Sequence, residues 1–219
     1  VPELRIRPFD PDAASDRAAV LDICVKTGDA GGDATALHAD PRALTDRYAT
    51  PYLELEPGWA WVATLAAGSD DGIGGDDDRD DTGDGAHHRA PVVGYLLGAP
   101  DTTAFAARFA GWPSSLTPAE RTAHAAAMLL PERHDYPAHL HIDLLPRAQG
   151  RGAGRALVQT LVDHLAARNV PGLHLVADPR NHGALAFYPR VGFTELRRTT
   201  DAVVFGRRLG LTTPGVEPG

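Results

Sequence analysis

The stretch Leu140-His141-Ile142-Asp143-Leu144-Leu145-Pro146-Arg147-Ala148-Gln149-Gly150-Arg151-Gly152-Ala153-Gly154-Arg155-Ala156-Leu157 constrains the fold more than any other. Its first part alternates. His139, His141 and Asp143 share one side of an extended strand, and Leu140, Ile142 and Leu144 share the other. From Ala156 to Ala167 the apolar residues Leu157, Leu161, Val162 and Leu165 recur at helical spacing, which predicts an amphipathic helix with one buried face. Between strand and helix, Gly150, Gly152 and Gly154 remove side chains where the first helical amides lack backbone partners. Such amides at the positive end of a helix form a seat for a phosphate or pyrophosphate, and Arg147, Arg151 and Arg155 add positive charge around it.

Two common phosphate-binding turns do not fit. A P-loop needs Gly-Lys followed by Ser or Thr, and the only lysine is the distant Lys26. A dinucleotide fold places Gly-x-Gly-x-x-Gly after an early strand, whereas this turn is Gly-x-Gly-x-Gly and lies past mid-chain. Gln149-x-x-Gly152-x-Gly154 instead resembles the pyrophosphate signature of the GCN5-related N-acetyltransferase (GNAT) superfamily. A second block agrees with it. Asn181-His182-Gly183-Ala184-Leu185-Ala186-Phe187-Tyr188, followed by Val191-Gly192-Phe193, is similar to that family's Asn-x-x-Ala-x-x-Phe-Tyr and Gly-Phe pattern. The segment from His139 through Phe193 also resembles the acetyltransferase-like domain of the O-GlcNAc hydrolases and its bacterial relatives.

The resemblance implies an α/β (α+β) fold, with a central mixed, mostly antiparallel sheet splayed after its fourth strand and flanked by helices. It implies acetyl-CoA as co-substrate. Backbone groups of Leu144 and Leu145 would hold the pantetheine arm. Gln149, Gly150, Arg151, Gly152, Ala153, Gly154 and Arg155 would seat the pyrophosphate, with Asn181, Ala184, Phe187 and Tyr188 completing the coenzyme site. Tyr188 occupies the family's position for the acid that protonates the departing thiolate, and a phenol suits that donation. Asn181 is also a helix N-cap candidate. Many members carry a glutamate base where this chain has Leu140, and leucine cannot serve. The alternating polar face offers substitutes: Asp143 first, His141 second, with Asp178 at the end of the neighbouring strand. Without a catalytic role, the same face would be a hydrogen-bonded network supporting the sheet.

Charge and composition bound the rest. A net charge of −8 argues against a nucleic-acid partner. No apolar run reaches the length of a membrane span, and no leader pattern precedes Leu4. The single cysteine, Cys24, lies on an apolar helical stripe and reads as a packed thiol, in keeping with a reducing cytoplasm. Abundant Ala, Gly and Pro with arginine in place of lysine point to a GC-rich bacterial source.

Residues 1–210 read as one domain. The pattern predicts a strand from Leu4 to Phe9, a helix over Asp16–Val25 capped by Ser15, and a helix from Pro41 to Tyr48. Those helices border the acceptor site in the resembling family, which makes Asp29, Asp33, His38 and Tyr48 candidate contacts. Trp59–Leu65 and Val92–Gly98 should pair as a hairpin, with residues 68–90 an Asp/Gly-rich disordered insertion whose His87-His88 pair is a weak metal candidate. A helical insertion over 101–136 reads either as a lid or as extra core, and its second helix has the Thr117–Glu120 capping-box pattern. A closing hairpin follows the cofactor block, and 211–219 reads as a flexible tail. The expected function is acetyl transfer to the amine of a small acceptor by direct attack on the thioester. The alternative is a coenzyme-A-binding module with a sensing or scaffold role. Expected partners are acetyl-CoA and the amine, with a homodimer permitted, and no metal, nucleic acid or membrane.

Overall fold

Seven short extended segments form one seven-stranded sheet of order β1-β2-β3-β4-β5-β7-β6. In the computed structural model, which describes residues 3–66 and 90–210, the strands are β1 (Leu4–Pro8), β2 (Ala60–Leu65), β3 (Val92–Ala99), β4 (Ala138–Leu144), β5 (Gly172–Ala177), β6 (Thr194–Arg198) and β7 (Val203–Arg208). The helices are α1 (Ala14–Lys26), α2 (Arg42–Tyr48), α3 (Thr50–Leu55), α4 (Thr102–Gly111), α5 (Pro118–Met128), α6 (Ala153–Ala166) and α7 (His182–Arg190). The disordered insertion expected over 68–90, except Ala90, the His87-His88 pair and the tail at 211–219 lie outside the described residues. Among the described residues no helix is long and apolar enough to cross a membrane.

Every neighbouring pair is antiparallel except β4–β5, which is parallel. The alternation on β4 assigns the two faces. Leu140, Ile142 and Leu144 join a core built with α6, α7 and Phe205, while Tyr95 and Leu97 of β3 face a second core under α1 to α4. α1 begins one residue before Ser15, and Ala13 at its N-cap makes no side-chain cap bond. Asp16, almost fully buried in the first turn, takes that place electrostatically. It accepts two bonds from Arg7 (2.5 and 2.7 Å) and one from the Asp10 amide (3.2 Å). The capping box at Thr117 and Glu120 forms as the pattern predicts. The 101–136 segment divides its work: α4 buries Phe105 and Phe109 in the second core, and α5 borders a pocket described below.

The splay lies between β4 and β5. β4 and β5 pair only at Ala138–Leu173 and His139–His174. Beyond His139, β4 stays with β3 as far as Leu144, while β5 stays with β7 along its whole length. The two half-sheets therefore twist apart after His139. Pro146 ends the pairing of β4 with β3. The Leu145 amide donates the last bond of β4 to Val93 (2.9 Å), and Pro146 has no N–H to continue.

Candidate active site

Antiparallel pairing decides which β4 backbone groups face the gap. Leu145 bonds to Val93, so residues 143, 141 and 139 also point their amides and carbonyls toward β3. Ile142 and Leu144 then point theirs toward the space left by β5. The Leu144 carbonyl accepts from the Gln149 side chain (3.1 Å), which ties the turn to the strand edge. The Leu145 amide is held by Val93, which leaves it nothing to donate into the gap, and its carbonyl accepts from Ala148 (2.8 Å).

The gap ends at the glycine turn. The first helical bond of α6 runs from Ala156 to Gly152 (3.0 Å), so the amides from Gly150 to Arg155 precede it. Gly150 and Gly152 have φ of +69° and +84°, with open space where a Cβ would stand. Both are glycines for backbone reasons, leaving the concavity free of side chains. Gly154 has a different cause. A Cβ there would come within 3.0 Å of the Phe187 ring and 3.3 Å of Leu144 Cδ1, so its absence lets α6, α7 and the strand edge close together. Arg147 and Arg151 are exposed beside the turn and have no carboxylate in salt-bridge range among the described residues. Arg155 reaches the Arg190 carbonyl at the end of α7 (3.2 Å). Open amides, unneutralised arginines and a glycine floor fit a pyrophosphate.

On the α1 to α4 side, the polar residues of β4 split into two groups. Asp143, half-buried, accepts a 2.5 Å bond from the Tyr95 hydroxyl directly across on β3. Burial raises its carboxyl to about 6, with the hydroxyls of Tyr95 and Thr27 opposing that shift. The buried Cys24 lies beside the same pair, and its thiol is pushed up to about 12 by burial and by the Asp143 charge. Cys24 is a packed thiol, as expected. His139 is buried with both nitrogens partnered: Nε2 to Tyr52 (2.7 Å) and Nδ1 to Thr102 (2.8 Å). His141 Nε2 meets the other side of the Tyr52 hydroxyl (3.1 Å). Burial lowers both imidazoles, His141 to about 4.

Tyr188 approaches from α7, packed against Phe193 and Phe205 with ring centroids 5.7 and 5.4 Å away. Burial and the charge of Asp143 both raise its phenol, so it stays protonated and lies within electrostatic reach of Asp143. Its hydroxyl makes no hydrogen bond among the described residues, yet no buried side-chain oxygen there is unpartnered. The hydroxyl is therefore open to solvent. Asn181 caps α7 through Ala184 (2.9 Å). Asp178 does not join the site, because Arg180 holds its carboxylate on the surface (2.8 Å) and keeps it below the usual range. Asp29 also pairs with Arg180 (3.2 Å), and Asp33 caps Thr35 (2.8 Å). Of the four candidate acceptor contacts, Tyr48 alone lines a pocket beside β4.

That pocket, about 240 Å³, sits where β4 and β5 begin to part. Its polar lining includes Tyr48, Tyr52, His124, His139, His141 and His174. Tyr52, Tyr95, His124 and His174 are site-lining groups that the sequence reading missed. Pairing register alone identifies two of them, since Tyr95 faces Asp143 and His174 neighbours His139. Among the described residues no group of His, Cys, Asp and Glu could hold a metal.

Comparison with known proteins gives the family. The sequence model of the acetyltransferase (GNAT) family matches residues 90–193. Mycothiol acetyltransferase of Streptomyces griseus subsp. griseus is 43% identical over 53 residues, 24% of this chain but only 17% of that protein's length. A PaiA N-acetyltransferase from Thermoplasma acidophilum, solved with coenzyme A, has a TM-score of 0.54 at 10% identity. Its match covers 94% of this chain and 99% of that one, and at this identity it shows likeness of fold alone. The solved structure of SsHAT is 37% identical, with a TM-score of 0.73 over 94% of this chain and 98% of its own. On agreement over nearly the full length of that relative, together with the family match across the strand, turn and helix of the gap, the chain belongs to the acetyltransferase (GNAT) family.

Proposed function

We propose that the protein is an acetyl-CoA-dependent N-acetyltransferase acting on the amine of a small acceptor, in a bacterial cytoplasm. One observation carries the reading. The gap opened after His139 has strand-edge groups of Ile142 and Leu144 turned toward it, ends on the glycine turn, and has Asp143 and Tyr188 within electrostatic reach of each other.

In this reading the amides from Gly150 to Arg155 hold the pyrophosphate of acetyl-CoA. Ile142 and Leu144 hold the pantetheine arm as an added strand, and an amide at that edge polarises the thioester carbonyl. Asp143 removes the proton from the attacking amine. A carboxyl near 6 is mostly ionised at pH 7 yet basic enough to accept that proton. His141, near 4 and donating to Tyr52, is the weaker base. Tyr188, kept protonated, gives its proton to the departing thiolate.

The second reading, a coenzyme-binding module, draws on the pairing of His139 and His141 inside the protein. Calorimetric titration with acetyl-CoA, beside Gly152→Asp, tests both. Micromolar binding lost in the variant supports the seat, and thiol release with an amine panel then separates enzyme from binder. No binding by the unaltered protein overturns both.

A further inference from the structure

The pocket beside β4 carries no formal charge. Its lining includes Tyr48, His124, His141, His174 and Met128, with no Asp, Glu, Lys or Arg. Burial lowers all four of its imidazoles, so they are neutral near pH 7. An ammonium placed among them would be desolvated with no counter-ion, which is costly. A polyamine or lysine side chain does not suit this space.

The hydrogen bonds also fix which ring nitrogens are bare. The Thr102 hydroxyl has one proton and donates it to the Pro137 carbonyl (2.7 Å). It can then only accept from His139, which puts that proton on Nδ1 and leaves Nε2 to accept from Tyr52. The Tyr52 oxygen in turn accepts from His141 Nε2, so His141 Nδ1 is a bare acceptor. His174 donates from Nδ1 to the Tyr136 carbonyl (2.7 Å) and also bonds to the Ala138 backbone. One neutral, acceptor-only nitrogen, His141 Nδ1, thus belongs to a residue lining this aromatic pocket.

We propose that this pocket receives the uncharged ring of the acceptor, an aromatic or heteroaromatic amine whose ring donates a hydrogen bond to His141 Nδ1. The volume suits that ligand: a cavity of about 150 Å³ takes up benzene, and this one holds about 240 Å³. Asp143 lies two residues further along the same face of β4, about 7 Å away, where an amine on a short arm meets the gap. The substrate class rests on the acetyl-transfer reading. The ring site itself does not, and the experiment separates them.

Phenol and anisole, titrated into protein with ¹⁵N-labelled histidines, test the ring site directly. Phenol is expected to shift the unprotonated nitrogen of His141, and to bind about tenfold more tightly than anisole, which cannot donate. Val176, 51% exposed at the pocket rim, gives a variant outside the buried network: Val176→Trp should abolish phenol binding while acetyl-CoA still binds. With acetyl-CoA present, thiol release should run at least 100-fold faster in kcat/KM with tyramine than with putrescine, and O-methyltyramine should fall between. Equal affinity for phenol and anisole, unmoved histidine signals, or preference for putrescine overturns the proposal. Phenol binding without acetyl transfer leaves the ring site standing and overturns the enzyme reading instead.

Discussion

The inner and outer ends of one strand face, four residues apart on β4, have opposite fates. At the inner end, His139 is still paired with β5, fully enclosed, and satisfied at both nitrogens by Tyr52 and Thr102. At the outer end, Asp143 has lost β5 as a neighbour, is half-buried, and leans on the Tyr95 phenol. Alternation treats these residues alike. What separates them is the divergence of the half-sheets, which leaves one polar group as structure and gives the other an opening toward the gap.

The sharpest test exchanges the groups' charges. Asp143→Asn keeps an acceptor for Tyr95 but removes the base, and kcat/KM should fall by about 10²–10⁴. The same change should stabilise the protein. A carboxyl raised to about 6 in the folded state favours folding when protonated, fully so below the ordinary carboxylate range. That contribution is lost as pH rises through about 6. Thermal unfolding at pH 8 should therefore favour the variant by about 1–3 kcal/mol, with the advantage fading toward pH 4. In the unaltered enzyme kcat/KM should drop on the acid side near pH 6. Equal activity loss from His139→Gln, with Asp143→Asn neutral, would break the contrast between the two ends.

The glycine turn extends the comparison to the far end of the gap. Gly152 is open space at positive φ, so Gly152→Asp places a carboxylate where phosphate is expected, and acetyl-CoA affinity should fall by about 100-fold. Gly154→Ala should weaken it less, since the Phe187 ring and Leu144 have only to shift by a few tenths of an ångström. Calorimetry on both variants reads the difference. Tyr188→Phe comes next in size. Because its hydroxyl holds no hydrogen bond among the described residues, stability should change by less than about 0.5 kcal/mol. kcat should drop by about 10–100-fold, and acetyl-CoA affinity should hold.

Much of this was readable before any coordinates, for local reasons. The glycine turn, the α5 capping box and the β4 alternation each follow from a few consecutive residues, and each appears in the structure. Three things did not follow. The α3 helix, Thr50–Leu55, directly abuts α2, and its apolar run lacked a length that separates helix from strand. The parting of β4 and β5 directly after His139 depends on β5 holding β7, a partner that lies beyond α7 in the chain. Tyr52 enters the pocket from α3, far from β4 in sequence, and His124 from α5, and only packing brings them there. Register links the missed Tyr95 to Asp143, and that pairing was within reach of the hairpin assignment.

The smallest expected effect on rate comes from the inner end itself, at Tyr52→Phe. This hydroxyl joins His141 to His139, and its ring stacks on Phe105 with centroids 4.4 Å apart. Phenylalanine keeps the stack and deletes both bonds, leaving His139 Nε2 an enclosed acceptor without a partner. That should cost about 1–3 kcal/mol in unfolding free energy. The proton on His141 is then no longer held on Nε2, and its two ring-nitrogen ¹⁵N signals should move toward each other as the tautomers mix. Activity should fall only a few-fold, because Asp143 and its Tyr95 partner are untouched. A drop as large as that of Asp143→Asn would mean that the inner network moves protons during turnover. The division between a structural end and a reactive end of β4 would then fail.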